Sequence, residues 1–226
     1  MNVKAPVRVK VCGITRTDDV RAVLQLGADY VGINLYRPSL RSVSLEQASK
    51  LLERIPQGRR VLVDVAPSVD VLKRYARAGF DYFQLHFDVD STPMAHIAQW
   101  AAIVGRERLW LAPRLPSMMP LPHEIVSRVA ILLIDTYHKG GYGGSGKTGD
   151  WGRFRKLQAM HPTKIFILAG GLGPDNIECA LTASEACFVD VNSGVESAPG
   201  IKSSKKLRLL FQRLKRFLQN ARSLQP

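Results

Sequence analysis

The chain has 226 residues, of which 46% are apolar, a size and composition that fit a globular protein and argue against a disordered one. No apolar run approaches the roughly 20 residues of a membrane-spanning helix, and Met1–Arg8 lacks the pattern of a signal peptide, so we expect no membrane association. The formal net charge of +13 predicts anionic ligands such as phosphates or carboxylates, or a nonspecific attraction to nucleic acid.

Short β-rich runs alternate with amphipathic helical runs along the chain. The predicted strands are Val7–Cys12, Tyr30–Leu35, Arg60–Val65, Tyr82–Leu85, Leu109–Ala112, Ile131–Asp135, Ile165–Ala169 and Phe188–Val191. The predicted helices are Thr17–Leu26, Leu45–Ile55, Val69–Ala78, Thr92–Val104, a short one near Pro122–Ser127, Trp151–Met160, Asp175–Leu181 and Ser204–Asn220. Eight alternations predict parallel strands with right-handed crossovers and favour closure into a (β/α)₈ barrel, a single domain over residues 1–226.

The excess of positive charge is concentrated at the carboxyl end of the sequence. From Lys202 onward there are many lysines and arginines and no acidic residue, which is typical of a solvated basic helix face. We therefore expect no nucleic-acid partner. The three cysteines are an odd number without metal-ligand spacing, which predicts no metal site and a reducing compartment, the cytoplasm.

Three chemically capable residues end predicted strands, and the active site of such a barrel lies at the carboxyl ends of its strands. Cys12 ends the first strand, Asp135 the sixth and Asp190 the eighth. Strand alternation directs Cys12 and Asp135 to the barrel mouth, with Lys10 deeper inside. A buried lysine requires a carboxylate, which Asp190 or Asp64 could supply. A free cysteine taken alone is as often a small buried apolar residue as a reactive one.

Two glycine-rich turns follow the seventh and eighth predicted strands, at Gly170-Gly171 and at Ser193-Gly194. Glycine lets the backbone approach an anion and offer its N–H groups. The loops after these two strands form the usual phosphate site of the fold, so the pair of turns predicts a phosphate-binding cradle.

Residues Gly141–Thr148 match the pattern of a nucleotide-phosphate loop, G-x-x-x-x-G-K-T. Such a loop leaves its strand directly, whereas here several residues intervene after Asp135. We interpret the segment as a lid over the barrel mouth, with Lys147 available as an anion contact.

Two further side chains follow predicted strands. Arg41, like Arg37, lies beyond the second strand, where a guanidinium can bind a carboxylate bidentately, although a surface position is the default for any single arginine. His86 follows the fourth strand, and we expect it to be structural or to make a minor contact.

Taken together, these stretches resemble the phosphoribosylanthranilate isomerase family of tryptophan biosynthesis. The resemblance covers nearly the whole chain, and the order and spacing of its motifs are specific. The motifs are Lys10–Thr15, Gly27–Gly32, Ser39–Arg41, Gln84–His86, Leu133–Thr136, Gly143–Thr148 with Asp150-Trp151, Ala169–Leu172 and Val189–Glu196.

The resemblance implies an Amadori rearrangement of N-(5'-phosphoribosyl)anthranilate, a small phosphorylated substrate, without metal or cofactor. Both a monomer and a homodimer are compatible with this fold. It implies that Asp135 is the general acid and Cys12 the general base. It further implies that Arg41 holds the substrate carboxylate and that Asp190 contacts the sugar hydroxyls. The phosphate would lie at Gly170, Gly171, Ser193 and Gly194.

The sequence departs from the family pattern at several positions. Leu40 replaces a proline before Arg41, Gly149 replaces a phenylalanine, and Phe87 replaces a glycine and is expected to place its ring close to the mouth. Two alternatives remain open: another phosphosugar isomerase or epimerase on the same barrel, and a catalytically weakened barrel that binds phosphate ligands or nucleic acid. The thiol on the first strand argues against the former, since such enzymes generally use an aspartate there or metal ligands.

Overall fold

The computed structural model describes residues 6–115, 120–135 and 150–223, and eight parallel strands form its centre. Each strand pairs with its neighbours in sequence, and β8 pairs with β1 to close the sheet, which confirms the predicted (β/α)₈ barrel. The strands are β1 Arg8–Val11, β2 Tyr30–Asn34, β3 Arg60–Val65, β4 Tyr82–Asp88, β5 Leu109–Arg114, β6 Ile131–Ile134, β7 Ile165–Leu168 and β8 Phe188–Val191.

A helix follows each strand and covers the outside of the barrel. The helices are α1 Thr17–Gln25, α2 Leu45–Leu52, α3 Val69–Ala76, α4 Met94–Val104, α5 His123–Arg128, α6 Trp151–Met160, α7 Ile177–Ser184 and α8 Ser204–Ser223. The helical spacing of apolar residues explains their packing: Leu207 and Leu210 of α8 are fully buried, and Leu214 nearly so. None of the described helices is long and apolar enough to cross a membrane.

Two strands extend beyond their predicted ends, and this overturns one expectation. β4 continues from Leu85 to Asp88, so Phe87 lies within a strand rather than in a loop. Alternation places Phe87 on the outer face of the sheet, fully buried, with its ring centroid 5.9 Å from that of Trp100 in α4. The prediction that Phe87 lies at the mouth is therefore wrong, because Gln84 and His86 occupy the inward positions.

Aromatic side chains fill the amino-terminal end of the barrel. Tyr30, Tyr82 and Phe188 each start a strand, and their ring centroids lie 5.2, 5.0 and 5.6 Å from that of Trp110. These distances are typical of favourable aromatic pairs. Because this end is filled, the space for a ligand lies at the opposite end, where the strands terminate.

A small hairpin after β8 was not predicted. One turn of 3₁₀ helix, Ser193–Val195, leads into β9, Glu196–Ala198, which pairs antiparallel with β10, Ile201–Lys202. Strands of three and two residues are too short to give a periodic sequence signal. The hairpin matters for function because it carries Glu196 and Lys202, both of which are buried.

Candidate active site

A cavity of about 680 Å³ opens at the carboxyl ends of the strands. Seven of the eight predicted site residues line it, although they come from five different strand ends and loops. They are Cys12, Arg41, Asp135, Gly170, Gly171, Asp190 and Ser193. The segment Gly141–Thr148, including Lys147, lies outside the described residues.

Cys12 directly follows β1 and is 4% exposed, with Lys10 fully buried two residues earlier on the same inward face. The Lys10 Nζ atom donates hydrogen bonds to both carboxylate oxygens of Asp190, at 2.9 and 3.0 Å. The register of β1 on β8 places these two residues opposite each other. The prediction that a buried Lys10 pairs with a carboxylate is confirmed, and the carboxylate is that of Asp190 rather than that of Asp64.

Burial and charge act in opposite directions on the Cys12 thiol. Burial raises its pKa above the ordinary value, while the ammonium groups of Lys10 and Lys202 favour the thiolate and oppose that increase. Burial prevails, so the pKa of Cys12 is raised in this cavity. For Lys10 the balance is reversed: burial would lower its pKa, but Asp190 and then Cys12 outweigh it and the ammonium is retained.

Asp135 lies at the end of β6, half-buried, where the inward alternation of Ile131 and Leu133 directs it. Continuing the register of Trp110 on Ile131 places Arg114 of β5 beside it, and Arg114 also lines the cavity. The Arg114 guanidinium also forms an ion pair with Asp88, at 3.4 Å. Arg114 was missed in the sequence because β5 was expected to end two residues earlier.

Arg41 lies on the cavity wall and is held by Glu196. Its Nε atom lies 3.0 Å from each Glu196 carboxylate oxygen, and its Nη2 atom lies 2.7 Å from Oε2. Glu196 also accepts a hydrogen bond of 2.9 Å from Lys202 Nζ. Burial would raise the pKa of Glu196, but hydrogen bonds from Arg41 and the charge of Lys202 lower it, so the carboxylate stays ionised. Arg41 therefore uses one edge of its guanidinium for Glu196, which leaves the edge that includes Nη1 for another anion.

The two glycine turns form one compact unit. Gly170 and Gly171 have φ values of +100° and +62°, a region that suits glycine, and both line the cavity. Gly194 is not among the lining residues, because its α-carbon packs against the carbonyl of Leu172, where an added Cβ would collide. Contact between these loops fixes the backbone of the predicted phosphate cradle.

His86 lines the cavity and contacts its neighbour Gln84, with 2.8 Å between the two Nε2 atoms. Burial, and then the charge of Lys10, lower its pKa to about 4, so the imidazole is neutral near pH 7. A neutral ring can donate or accept a hydrogen bond without adding charge to the site. Among the described residues, no group of three or more His, Cys, Asp or Glu side chains is arranged to hold a metal ion.

A closed parallel barrel with titratable side chains gathered at the carboxyl ends of its strands is the architecture of a (β/α)₈-barrel enzyme. Residues 9–213 match the family model described as N-(5'phosphoribosyl)anthranilate (PRA) isomerase. The chain belongs to this family of isomerases of tryptophan biosynthesis, which confirms the resemblance seen in its sequence.

Individual relatives align with this chain over nearly their whole length. The N-(5'-phosphoribosyl)anthranilate isomerase of Bordetella avium is 36% identical over 214 residues, covering 92% of this chain and 95% of the relative. The crystal structure of the Thermus thermophilus phosphoribosyl anthranilate isomerase is 32% identical with a TM-score of 0.76, covering 93% and 99% of the two chains. A phosphoribosyl anthranilate isomerase in complex with reduced 1-(o-carboxyphenylamino)-1-deoxyribulose 5-phosphate is 25% identical with a TM-score of 0.72, covering 92% and 98%.

Proposed function

We propose that this protein converts N-(5'-phosphoribosyl)anthranilate to 1-(2-carboxyphenylamino)-1-deoxyribulose 5-phosphate, with Asp135 as general acid and Cys12 as general base. The observation that carries this proposal is that both residues face one cavity, from strands three positions apart around the barrel. A substrate between them can receive a proton on one side and lose one on the other.

The reaction is an Amadori rearrangement in three proton-transfer stages. Asp135 protonates the furanose ring oxygen, the bond from that oxygen to C1' breaks, and the anilino nitrogen supplies the electron pair of the resulting Schiff base. The Cys12 thiolate then removes the proton at C2', and the released pair forms an enolamine. The enolamine then tautomerises to the ketose: C1' takes up a proton from solvent, and the C2' hydroxyl releases its proton to solvent. These steps use no metal or cofactor.

Binding uses the two anionic ends of the substrate. The backbone N–H groups around Gly170, Gly171 and Ser193 hold the phosphate, because they border the cavity with glycine conformations that expose the backbone. The Arg41 guanidinium edge that includes Nη1 holds the anthranilate carboxylate. Asp190, which lines the cavity while paired with Lys10, contacts the sugar hydroxyls.

The test is a steady-state assay with freshly generated phosphoribosylanthranilate, following the loss of its fluorescence. We expect turnover by the wild type, and a decrease in kcat of at least ~10²-fold for Asp135→Asn and for Cys12→Ser. The matched controls are Cys179→Ser and Asp70→Asn, which change the same residue types at exposed positions and should leave kcat unaltered. Wild-type turnover by either site variant would refute the role of that residue, and an inactive wild type would refute the substrate.

The same proposal places the enzyme in the cytoplasm as a monomer or a homodimer without a nucleic-acid partner. The exposed basic residues of α8, such as Lys205 and Arg208, then face solvent. Light scattering on the purified protein measures the oligomeric state. Titration with duplex DNA at increasing salt should show only weak binding that disappears near physiological ionic strength, and binding that survives there would contradict this part.

A further inference from the structure

A continuous set of polar contacts joins the two ends of the cavity through the β9–β10 hairpin. The Glu196 carboxylate, 4% exposed, accepts hydrogen bonds from Arg41, from Lys202 and, at 3.2 Å, from the backbone N–H of Gly200. Arg41 belongs to the loop after β2, whereas Lys202 belongs to β10. One buried carboxylate therefore fixes two cations from distant parts of the sequence.

Lys202 extends this set toward the phosphate cradle. Its side chain is fully buried, and Nζ lies 2.9 Å from Asn192 Oδ1 and 3.4 Å from the Asn192 carbonyl oxygen. Asn192 lines the cavity immediately before Ser193. The backbone N–H of Lys202 is itself held by the Asp19 carboxylate, at 3.2 Å. The ammonium therefore has a fixed position from which it orients Asn192.

The two ends of this set converge at Gly13, the residue after Cys12. A Cβ added to Gly13 would lie 2.6 Å from Asn192 Oδ1 and 2.8 Å from Arg41 Cδ, so both side chains pack against its bare backbone. The positive φ of +70° also favours glycine here. Two sets of contacts therefore fix the separation of Arg41 from Asn192. Both side chains pack against the backbone of Gly13, and both are hydrogen-bonded to the Glu196–Lys202 pair.

We propose that Glu196 and Lys202 are positioning residues that hold Arg41 and the phosphate loop at a fixed separation, and so select ligands that carry both a carboxylate and a phosphate. Neither residue is among those that line the cavity, so each acts through a neighbour. Two cations and one carboxylate leave a positive excess on this wall, which suits a ligand with two anionic ends. The inference rests on the proposed function, since it assumes that Arg41 and the β8 loop receive those ends.

The experiment measures selectivity by calorimetry, so that it does not depend on turnover. One probe is reduced 1-(o-carboxyphenylamino)-1-deoxyribulose 5-phosphate, and the other is the same compound without its carboxylate. We expect the wild type to prefer the carboxylated probe by at least ~10-fold, because a misplaced binding group costs up to about 10²-fold. Glu196→Gln and Lys202→Met should reduce this preference to within about threefold of unity, and in Glu196→Gln the affinity for the second probe should change far less.

Controls separate positioning from a general loss of structure. Lys205→Met removes an exposed lysine three residues away and should keep the wild-type preference. Lys202→Arg retains the charge and the hydrogen-bond donors and should keep most of the wild-type preference. Together with Glu196→Gln, it tests the proposal even if Lys202→Met fails to fold. An unchanged preference in Glu196→Gln and Lys202→Met, or an equal loss of both probes in Glu196→Gln, overturns the inference. Tight binding of the carboxylated probe by a wild type that does not turn over substrate refutes the proposed function alone.

Discussion

The ammonium nitrogen of Lys10 lies 2.9 and 3.0 Å from the two carboxylate oxygens of Asp190, on the inward face of the barrel below Cys12. Lys10 has no exposed side-chain surface and Asp190 has 8%. A pair this deeply buried repays its desolvation only while both partners are present, since one partner alone is an uncompensated charge. The contributions of Lys10 and Asp190 to stability are therefore coupled, as are their effects on the pKa of the Cys12 thiol.

The first prediction concerns this coupling. Lys10→Met should lower the free energy of unfolding by about 3–5 kcal/mol, because it leaves the Asp190 carboxylate buried without its partner. The double variant Lys10→Met, Asp190→Asn should recover part of that loss. Urea unfolding measures both. Lys50→Met is the control, because it breaks an exposed pair of similar length, 3.0 Å to Glu46, and should cost no more than about 0.5 kcal/mol. Losses that simply add in the double variant would show that the two sites are not coupled.

The second prediction concerns Gly32 on β2. A Cβ there would lie 3.0 Å from Cys12 Sγ and 3.0 Å from Lys10 Nζ, so Gly32→Ala forces the thiol and the ammonium to move. We expect kcat/KM to fall by at least ~10-fold while the fold is retained, because small displacements of reacting groups are costly. Gly152→Ala, at an exposed position in α6, should keep activity and add up to about 1 kcal/mol of stability. Unchanged activity in Gly32→Ala would show that the thiol has room to shift without consequence.

Strand periodicity in the sequence sufficed to predict the barrel and the convergence of Cys12 and Asp135 on one cavity. It also indicated that Lys10 is buried and needs a carboxylate, although not which one, because the choice of Asp190 follows from the register of β1 on β8. Lys202 could not be identified in this way, because its contacts with Asn192 and Glu196 depend on a hairpin too short to leave a pattern.

The prediction of where the strands end was the other source of error. The alternation of Trp110 and Ala112 continues to Arg114, whereas the predicted strand ended at Ala112, directly before a proline. The same kind of underestimate for β4 led to the wrong placement of Phe87. A strand that continues by two residues changes which side chains reach the mouth, so the cavity walls were less predictable than the barrel itself.

The third prediction concerns the titration of the Cys12 thiol. Burial raises the pKa of Cys12 above its ordinary value of 9.0, although a general base acts in its deprotonated form. The thiolate fraction therefore grows about tenfold per pH unit below that pKa, so the thiolate absorbance that the wild type has and Cys12→Ser lacks should still be increasing at roughly pH 9. A difference in absorbance that is complete at or below about pH 7 would contradict the raised pKa of this thiol.

Two variants test which cation opposes the effect of burial on Cys12. Lys202→Met removes one of the two ammonium groups that favour the thiolate, so the titration of Cys12 should move to higher pH. Lys205→Met removes an exposed lysine and should leave the titration where it is. Equal titrations in the wild type and in Lys202→Met would show that Lys10 alone provides the favourable field.

The fourth prediction concerns Asp64, a residue that is 6% exposed and is not among those that line the cavity. Burial raises its pKa from 3.8 to about 6, although hydrogen bonds from the Val65 N–H and from the Tyr75 hydroxyl partly oppose the effect. Folding therefore favours the protonated carboxyl. The stability this group contributes is fully present below its unfolded pKa and is lost as pH rises through about 6.

Removing the titration should remove that part of the pH dependence. A difference of about two pKa units corresponds to at most about 3 kcal/mol, so Asp64→Asn should gain up to that amount relative to the wild type between pH 4 and pH 7. Urea unfolding at several pH values measures the difference between the two proteins. Asp70→Asn, at a carboxylate that is 94% exposed, should follow the wild type throughout. A constant difference between Asp64→Asn and the wild type at every pH would mean that Asp64 ionises in the folded protein as it does in the unfolded chain.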